Sequence, residues 1–177
     1  MMSVEEHKKG MRGYKCKFAI LTISTSRFEK YGSAKNPEQC EDVSGRIIKE
    51  LLTGEEHKFI DYSLVPDDVE MIRKSILNLI EEELDLIICT GGTGLAPADV
   101  TIESIKPVLE KEIQGFGELF RFKSMKEIGS AAMLTRAIAG VVKGKVVFCL
   151  PGSPNAVTLA IRELILPEIG HIVKHMK

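Results

Sequence analysis

The densest chemistry in the sequence lies in Thr90-Gly91-Gly92-Thr93-Gly94, which directly follows the apolar run LDLIIC. Glycines let backbone N–H groups crowd around an anion, because no Cβ intervenes and positive φ costs little. Between a buried strand and a helix, such a loop suits a phosphate group. A tight strand-to-helix turn is the other reading, although such turns rarely need three glycines in four positions. The segment has neither the Lys-Ser/Thr of a Walker A loop nor the spacing of a dinucleotide fingerprint. Asp99 follows five residues after Gly94. Beside a polyphosphate a carboxylate serves as a magnesium ligand; otherwise it is an acid that favours a helix N-terminus. Asp67 has the same two readings, with Glu70 completing a capping box.

A second loop, Pro151-Gly152-Ser153-Pro154-Asn155, is rigid and polar. It can present amides to a ligand, or Ser153 or Asn155 can cap the next helix. Asp42-Val43-Ser44-Gly45 reads as a helix start. Glycine costs about 1 kcal/mol inside a helix, so close approach of a ligand or another backbone is expected at Gly45. Glu103 reads as a first-turn acid near the site, and Arg121 and Lys123 as surface charges. His171 and His175 have i,i+4 spacing but no third metal ligand, and read as a solvated terminal turn. No local signature suggests a Ser/His/Asp or Cys/His nucleophile set.

The elements that must position these residues follow from periodicity. Residues 17–25, 57–65, 84–90, 136–142 and 145–150 read as strands, and the last two as a hairpin through Lys143-Gly144. Helical spacing covers 41–52, 67–83, a stretch from Ile102 offset at Pro107, 115–129, and 156–176 with a joint at Pro167. Residues 26–39 read as a long loop. Alternation of this kind predicts a three-layer α/β/α fold: a mostly parallel sheet with an antiparallel edge pair. Ligands of such sheets sit beyond the carboxyl ends of the strands. Those ends carry Thr25-Ser26, Pro66-Asp67, TGGTG and LPGSPN.

Length and composition agree. A chain of 177 residues predicts a polar arm at 1–14 and a single domain at 15–177. Charges nearly balance, 24 basic against 25 acidic, which argues against nucleic acid or a membrane surface as partner. Cys16, Cys40, Cys89 and Cys149 form no CxxC pair, and reduced thiols fit a cytoplasmic protein. The N-terminal stretch carries acidic residues and no apolar run, so no signal peptide is expected, and nothing approaches the ~20 apolar residues of a membrane span.

TGGTGLAPADVTIE, preceded by VPDD and followed by LPGSPNAV, resembles the MoaB/MogA family of molybdopterin-binding proteins. GFGELFRFKSMKEIG with TRAIAG is more similar to the MoaB branch. The resemblance covers about residues 16–176. It implies a trimer or hexamer that binds molybdopterin and transfers AMP from ATP to the pterin's terminal phosphate, with magnesium. Hand-off to the metal-insertion protein is a further expectation; a non-catalytic pterin carrier or scaffold is the alternative. The family's two functional aspartates match Asp67 and Asp99. Thr90, Gly91, Gly92, Thr93 and Gly94 match its glycine loop; Pro151, Gly152, Ser153, Pro154 and Asn155 match its PGxPN loop; Asp42, Ser44 and Gly45 match its Asp-x-Ser-Gly start. Where relatives carry Ser-Asp-Arg or Ser-Asn-Arg in the first loop, this chain has Thr25-Ser26-Arg27.

Overall fold

The computed structural model describes residues 14–176. Of the arm expected at 1–14, all but Tyr14 lies outside these residues. Tyr14 Oη donates to the Asp85 carboxylate at 3.1 Å. The spine is a six-stranded sheet in the order β2-β1-β3-β6-β5-β4. Its strands are β1 Lys17–Ile23, β2 Lys58–Val65, β3 Leu86–Thr90, β4 Lys111–Glu112, β5 Ile138–Val142 and β6 Lys145–Leu150. β2, β1, β3 and β6 are parallel, while β5 pairs antiparallel with β6 and β4 with β5. The three central strands are apolar almost throughout and buried along nearly their whole length, as strands covered on both faces must be. β4, at two residues, is too short to leave a periodic signal.

Helices cover both faces. Residues of α2 (Val43–Gly54), α5 (Gln114–Ile128), α6 (Pro154–Ala160) and α7 (Leu166–Met176) pack on Phe18, Ile20, Ile88 and Phe148. On the other face, Ile72, Ile76 and Ile80 of α3 (Val69–Glu81) and Ile105 of α4 (Thr101–Ile105) pack on Leu21, Ile87 and Val147. The predicted three layers are therefore present. All four cysteines are buried free thiols, and Cys89 and Cys149 are register partners on β3 and β6. No helix among the described residues is long and apolar enough to cross a membrane.

Two expectations need correction. The loop expected at 26–39 contains a helix, α1, over Thr25–Tyr31, and a 3-10 turn over Pro37–Cys40. The Ser24 side chain caps α1 by accepting from Arg27 N–H, a contact generally worth about 1 kcal/mol. No residue of α1 is buried, so it has no apolar stripe to reveal it. The joint expected at Pro167 is instead a π-helical turn over Ile161–Ile165. The π turn runs directly into α7, so Pro167 lies inside a continuous helical run, and the wider turn just before it accommodates a residue that cannot donate.

Candidate functional site

Register brings the loops to one rim. Ile23 pairs with Val65, Thr22 with Thr90, and Thr90 with Leu150, so four parallel strands end level. β5 runs the other way, which brings its first residue, Ile138, opposite Cys149. Arg136, just before β5, therefore reaches the same rim.

The two loops flagged by their glycines and prolines touch. Gly91 N–H donates to the Leu150 carbonyl at 3.1 Å, and Thr90 Oγ1 to the Pro151 carbonyl at 3.3 Å. A Cβ on Gly152 would stand 3.2 Å from the Gly91 Cα. Gly91 itself has φ +95° with its Cα against the Ile23 carbonyl, a position that only glycine fills without strain.

Three successive peptide units of the glycine loop share one arrangement. The Gly91 carbonyl accepts from Thr101 Oγ1 at 2.8 Å, the Gly92 carbonyl from Thr101 N–H at 3.0 Å, and the Thr93 carbonyl from Arg136 Nε at 3.0 Å. All described peptides are trans, so each following N–H points opposite its held carbonyl. Gly92, Thr93 and Gly94 N–H therefore aim away from Thr101 and Arg136. None of the three has an acceptor among the described residues. Consecutive amides without acceptors can line a concavity for an anion.

Two carboxylates flank this array. A Cβ on Gly92 would stand 2.5 Å from an Asp67 oxygen, and one on Gly94 2.6 Å from an Asp99 oxygen. Asp67 is not the cap expected for α3. Asp68 is: its carboxylate accepts from Met71 N–H at 2.8 Å. Asp67 instead accepts from Thr25 N–H and Oγ1, at 3.0 and 2.8 Å. Asp99 precedes α4 and folds back on its own loop, accepting from Ala96 N–H at 2.9 Å. In each pair of oxygens one has no donor among the described residues.

The other predicted residues take supporting places. Asp42 is buried and caps α2 through Gly45 N–H, and it accepts from Thr22 Oγ1 at 2.7 Å and Tyr62 Oη at 2.9 Å. Burial pushes the Tyr62 phenol above its usual range, which keeps that donor protonated. Gly45 is small because the Asp42 carboxylate and the Tyr62 ring fill the space beside it; no ligand is needed to explain it. Ser44 Oγ donates to the Gly152 carbonyl at 2.7 Å, tying α2 to the proline loop. Ser153 caps α6, accepting from Ala156 N–H at 3.2 Å, and Pro154 takes its first turn. Asn155 opens on a cavity of about 550 Å³ with Lys123 and Arg162. Ser26 is exposed on α1, and the Arg27 guanidinium reaches the Glu41 carbonyl at 3.5 Å. His171 and His175 face each other, Nε2 to Nε2, at 2.8 Å.

Sequence reasoning placed Thr25 at the rim but gave it no role, and missed Thr101 and Arg136 as site residues. Arg136 also donates to the Asp99 carbonyl at 3.1 Å and pairs with Glu103 through Nη1 and Nη2. Its guanidinium holds the Glu103 carboxyl below the usual range. Its only sequence mark is its place in TRAIAG.

Residues 19–171 match the family described as "Probable molybdopterin binding domain". A Bacillus cereus protein named molybdenum cofactor biosynthesis protein B is 47% identical over 174 residues, 97% of this chain and 96% of its own. A Staphylococcus aureus protein of the same name is 40% identical, covering 97% of this chain and 98% of its own. Among solved structures, a molybdenum cofactor biosynthesis protein B superposes with a TM-score of 0.83 at 44% identity, over 92% of this chain and 96% of that one. The tungsten cofactor synthesizing protein MoaB from Pyrococcus furiosus gives 0.80 at 40%, over 92% and 97%. With sequence and fold matched over nearly its whole length, the chain belongs to the MoaB/MogA family of molybdopterin-binding proteins, in its MoaB branch.

Proposed function

We propose that the protein binds molybdopterin and ATP at this rim and transfers AMP to the pterin's terminal phosphate, releasing pyrophosphate. One observation carries the reading: the Gly92, Thr93 and Gly94 amides have no acceptor among the described residues, and the Asp67 and Asp99 carboxylates lie against Gly92 and Gly94. Amides alone would suit any small anion. Carboxylates beside those amides would repel a phosphate unless a cation lay between them.

A phosphate oxygen of the pterin attacks the α-phosphorus of ATP. The new P–O bond forms as the bond to pyrophosphate breaks. A phosphate is already ionised at neutral pH, so no general base is needed. Catalysis then consists of positioning and charge compensation. The Gly92–Gly94 amides hold one phosphate group, and the proline loop at Pro151–Asn155 borders the same space. Asp67 and Asp99 are the residues that would hold magnesium, an ion that takes one or two carboxylates together with substrate phosphates. When bound, magnesium offsets negative charge on the reacting oxygens.

Self-association belongs to the same reading. Leu119, Phe122, Met125 and Ile128 of α5, with Met133 and Leu134 beyond it, are each more than half exposed. An apolar face of this kind suits a second copy of the chain, as in a trimer or hexamer. A cytoplasmic place and hand-off of adenylylated pterin to the metal-insertion protein complete the proposal.

Incubation with molybdopterin, ATP and magnesium tests the chemistry. Pyrophosphate release with adenylylated pterin is the expected result. Tight pterin binding with no product leaves a carrier; binding of another nucleotide but no pterin removes the pathway assignment altogether.

A further inference from the structure

Thr101 and Arg136 divide the glycine loop between them. Thr101, at the start of α4, holds the Gly91 and Gly92 carbonyls with its hydroxyl and its N–H. Those two bonds fix the directions of the Gly92 and Thr93 amides. The Thr93 carbonyl, and with it the Gly94 amide, is held by Arg136 alone among the described residues. Arg136 comes from the far end of the chain, 43 residues beyond Thr93.

The guanidinium is suited to this task. Its donors sit in a planar fork. Nε takes the Thr93 carbonyl at 3.0 Å and Nη2 the Asp99 carbonyl at 3.1 Å, so one group pins both ends of the 93–99 segment. Glu103 braces the fork through Nη1 and Nη2 and balances its charge. A guanidinium so engaged acts on the main chain, not as a free cation for a ligand.

We propose that Arg136 is a positioning residue of the anion site: by holding the Thr93 carbonyl it aims Gly94 N–H at the bound phosphate, while Gly92 and Thr93 N–H are aimed independently of it. The inference rests on the reading of this loop as a phosphate cradle. A merely structural arginine would lower stability and leave the three amides alike in their response to ligand. A positioning arginine separates Gly94 from the other two.

Amide resonances of ¹⁵N-labelled full-length protein, titrated with inorganic pyrophosphate and magnesium, test this. In the unaltered protein all three amides shift and saturate together. In Arg136→Gln the Gly94 response is lost and those of Gly92 and Thr93 persist, with pyrophosphate affinity down about tenfold, as befits one donor to a charged group. Arg136→Lys, with a point donor in place of the fork, also weakens the Gly94 response. Glu103→Gln, which leaves both carbonyl bonds in place, keeps all three responses. If Arg136→Gln fails to fold, Thr101→Val serves: it dulls the Gly92 response and spares Gly94. A Gly94 response equal to the unaltered protein's in Arg136→Gln or Arg136→Lys overturns the inference, as does loss of Gly94 in Thr101→Val. Silence of all three amides in the unaltered protein overturns the phosphate reading itself, and the inference with it.

Discussion

Thr25 and Asp67 hold each other reciprocally: Thr25 N–H and Oγ1 donate to the Asp67 carboxylate at 3.0 and 2.8 Å, and Thr25 Oγ1 accepts from Asp67 N–H at 3.0 Å. The hydroxyl thus fixes both the backbone and the side chain of a proposed magnesium ligand. Thr25→Val keeps the shape and removes that hydroxyl. Adenylyl transfer should fall about tenfold, with pterin affinity changed less than about threefold. Thr25→Ser should restore the rate. Initial rates and equilibrium pterin binding on the three proteins check this.

Asp67→Asn and Asp99→Asn should separate chemistry from binding. Loss of a metal ligand should cut turnover about a hundredfold or more, while pterin affinity stays within roughly threefold. The magnesium concentration for half-maximal rate should rise in both. Rates across a magnesium series provide the measurement. Equal loss of binding and turnover would remove the metal role from these side chains.

Gly91→Ala should destabilise the fold by roughly 2 kcal/mol or more, since it combines left-handed backbone strain with an overlap. The added methyl would collide with the Ile23 carbonyl at the end of β1. Urea denaturation gives the value. A change below about 0.5 kcal/mol would mean that the β1–β3 contact at the rim yields readily.

His57 should give stability a dependence on pH. Its Nδ1 accepts from Cys16 N–H at 3.1 Å, and the side chain is buried. Burial, and secondarily the Lys15 charge, pushes its pKa down. In the unfolded chain the ring titrates near about 6.5. The stability it contributes is therefore complete above about pH 6.5 and is lost as pH falls, until the folded ring protonates too. His57→Asn offers a carbonyl oxygen to the same amide without titrating. Denaturation at about pH 7.5, 6.0 and 5.0 should show the stability advantage of the unaltered protein over the His57→Asn variant shrinking with acid.

Leu119→Glu combined with Phe122→Glu should abolish self-association without unfolding the domain, because both side chains are more than half exposed on α5. Sedimentation velocity reads the change in mass. An unchanged assembly would place the interface elsewhere.

The layers and the rim were legible because strands covered on both faces announce themselves as apolar runs, and parallel order then dictates which loops meet. TGGTG was legible because glycine density reports backbone demands directly. The proline loop was legible as a loop, but not its contact with Gly91, which depends on β6 lying beside β3. Arg136 was not, since its partners lie 37 and 43 residues away and a single arginine before a strand has no periodicity. The neighbouring Asp67 and Asp68 could not be told apart by type. Backbone direction decides between them: Asp68 faces Met71 N–H, and Asp67 faces α1, a helix too polar and too short to show.

Cys89 and Cys149 lie directly beneath the two loops, fully buried, and the hydrogen bond with Cys149, then burial, pushes the Cys89 thiol up. Nucleophilic sulfur is thiolate sulfur, and an inaccessible thiol of raised pKa supplies almost none. The reactive dithiolene of a pterin resting on this rim would therefore meet main-chain amides and carboxylates, and no partner for thiol–disulfide exchange. On the proposed reading, the floor of the site offers a bound dithiolene no accessible thiol.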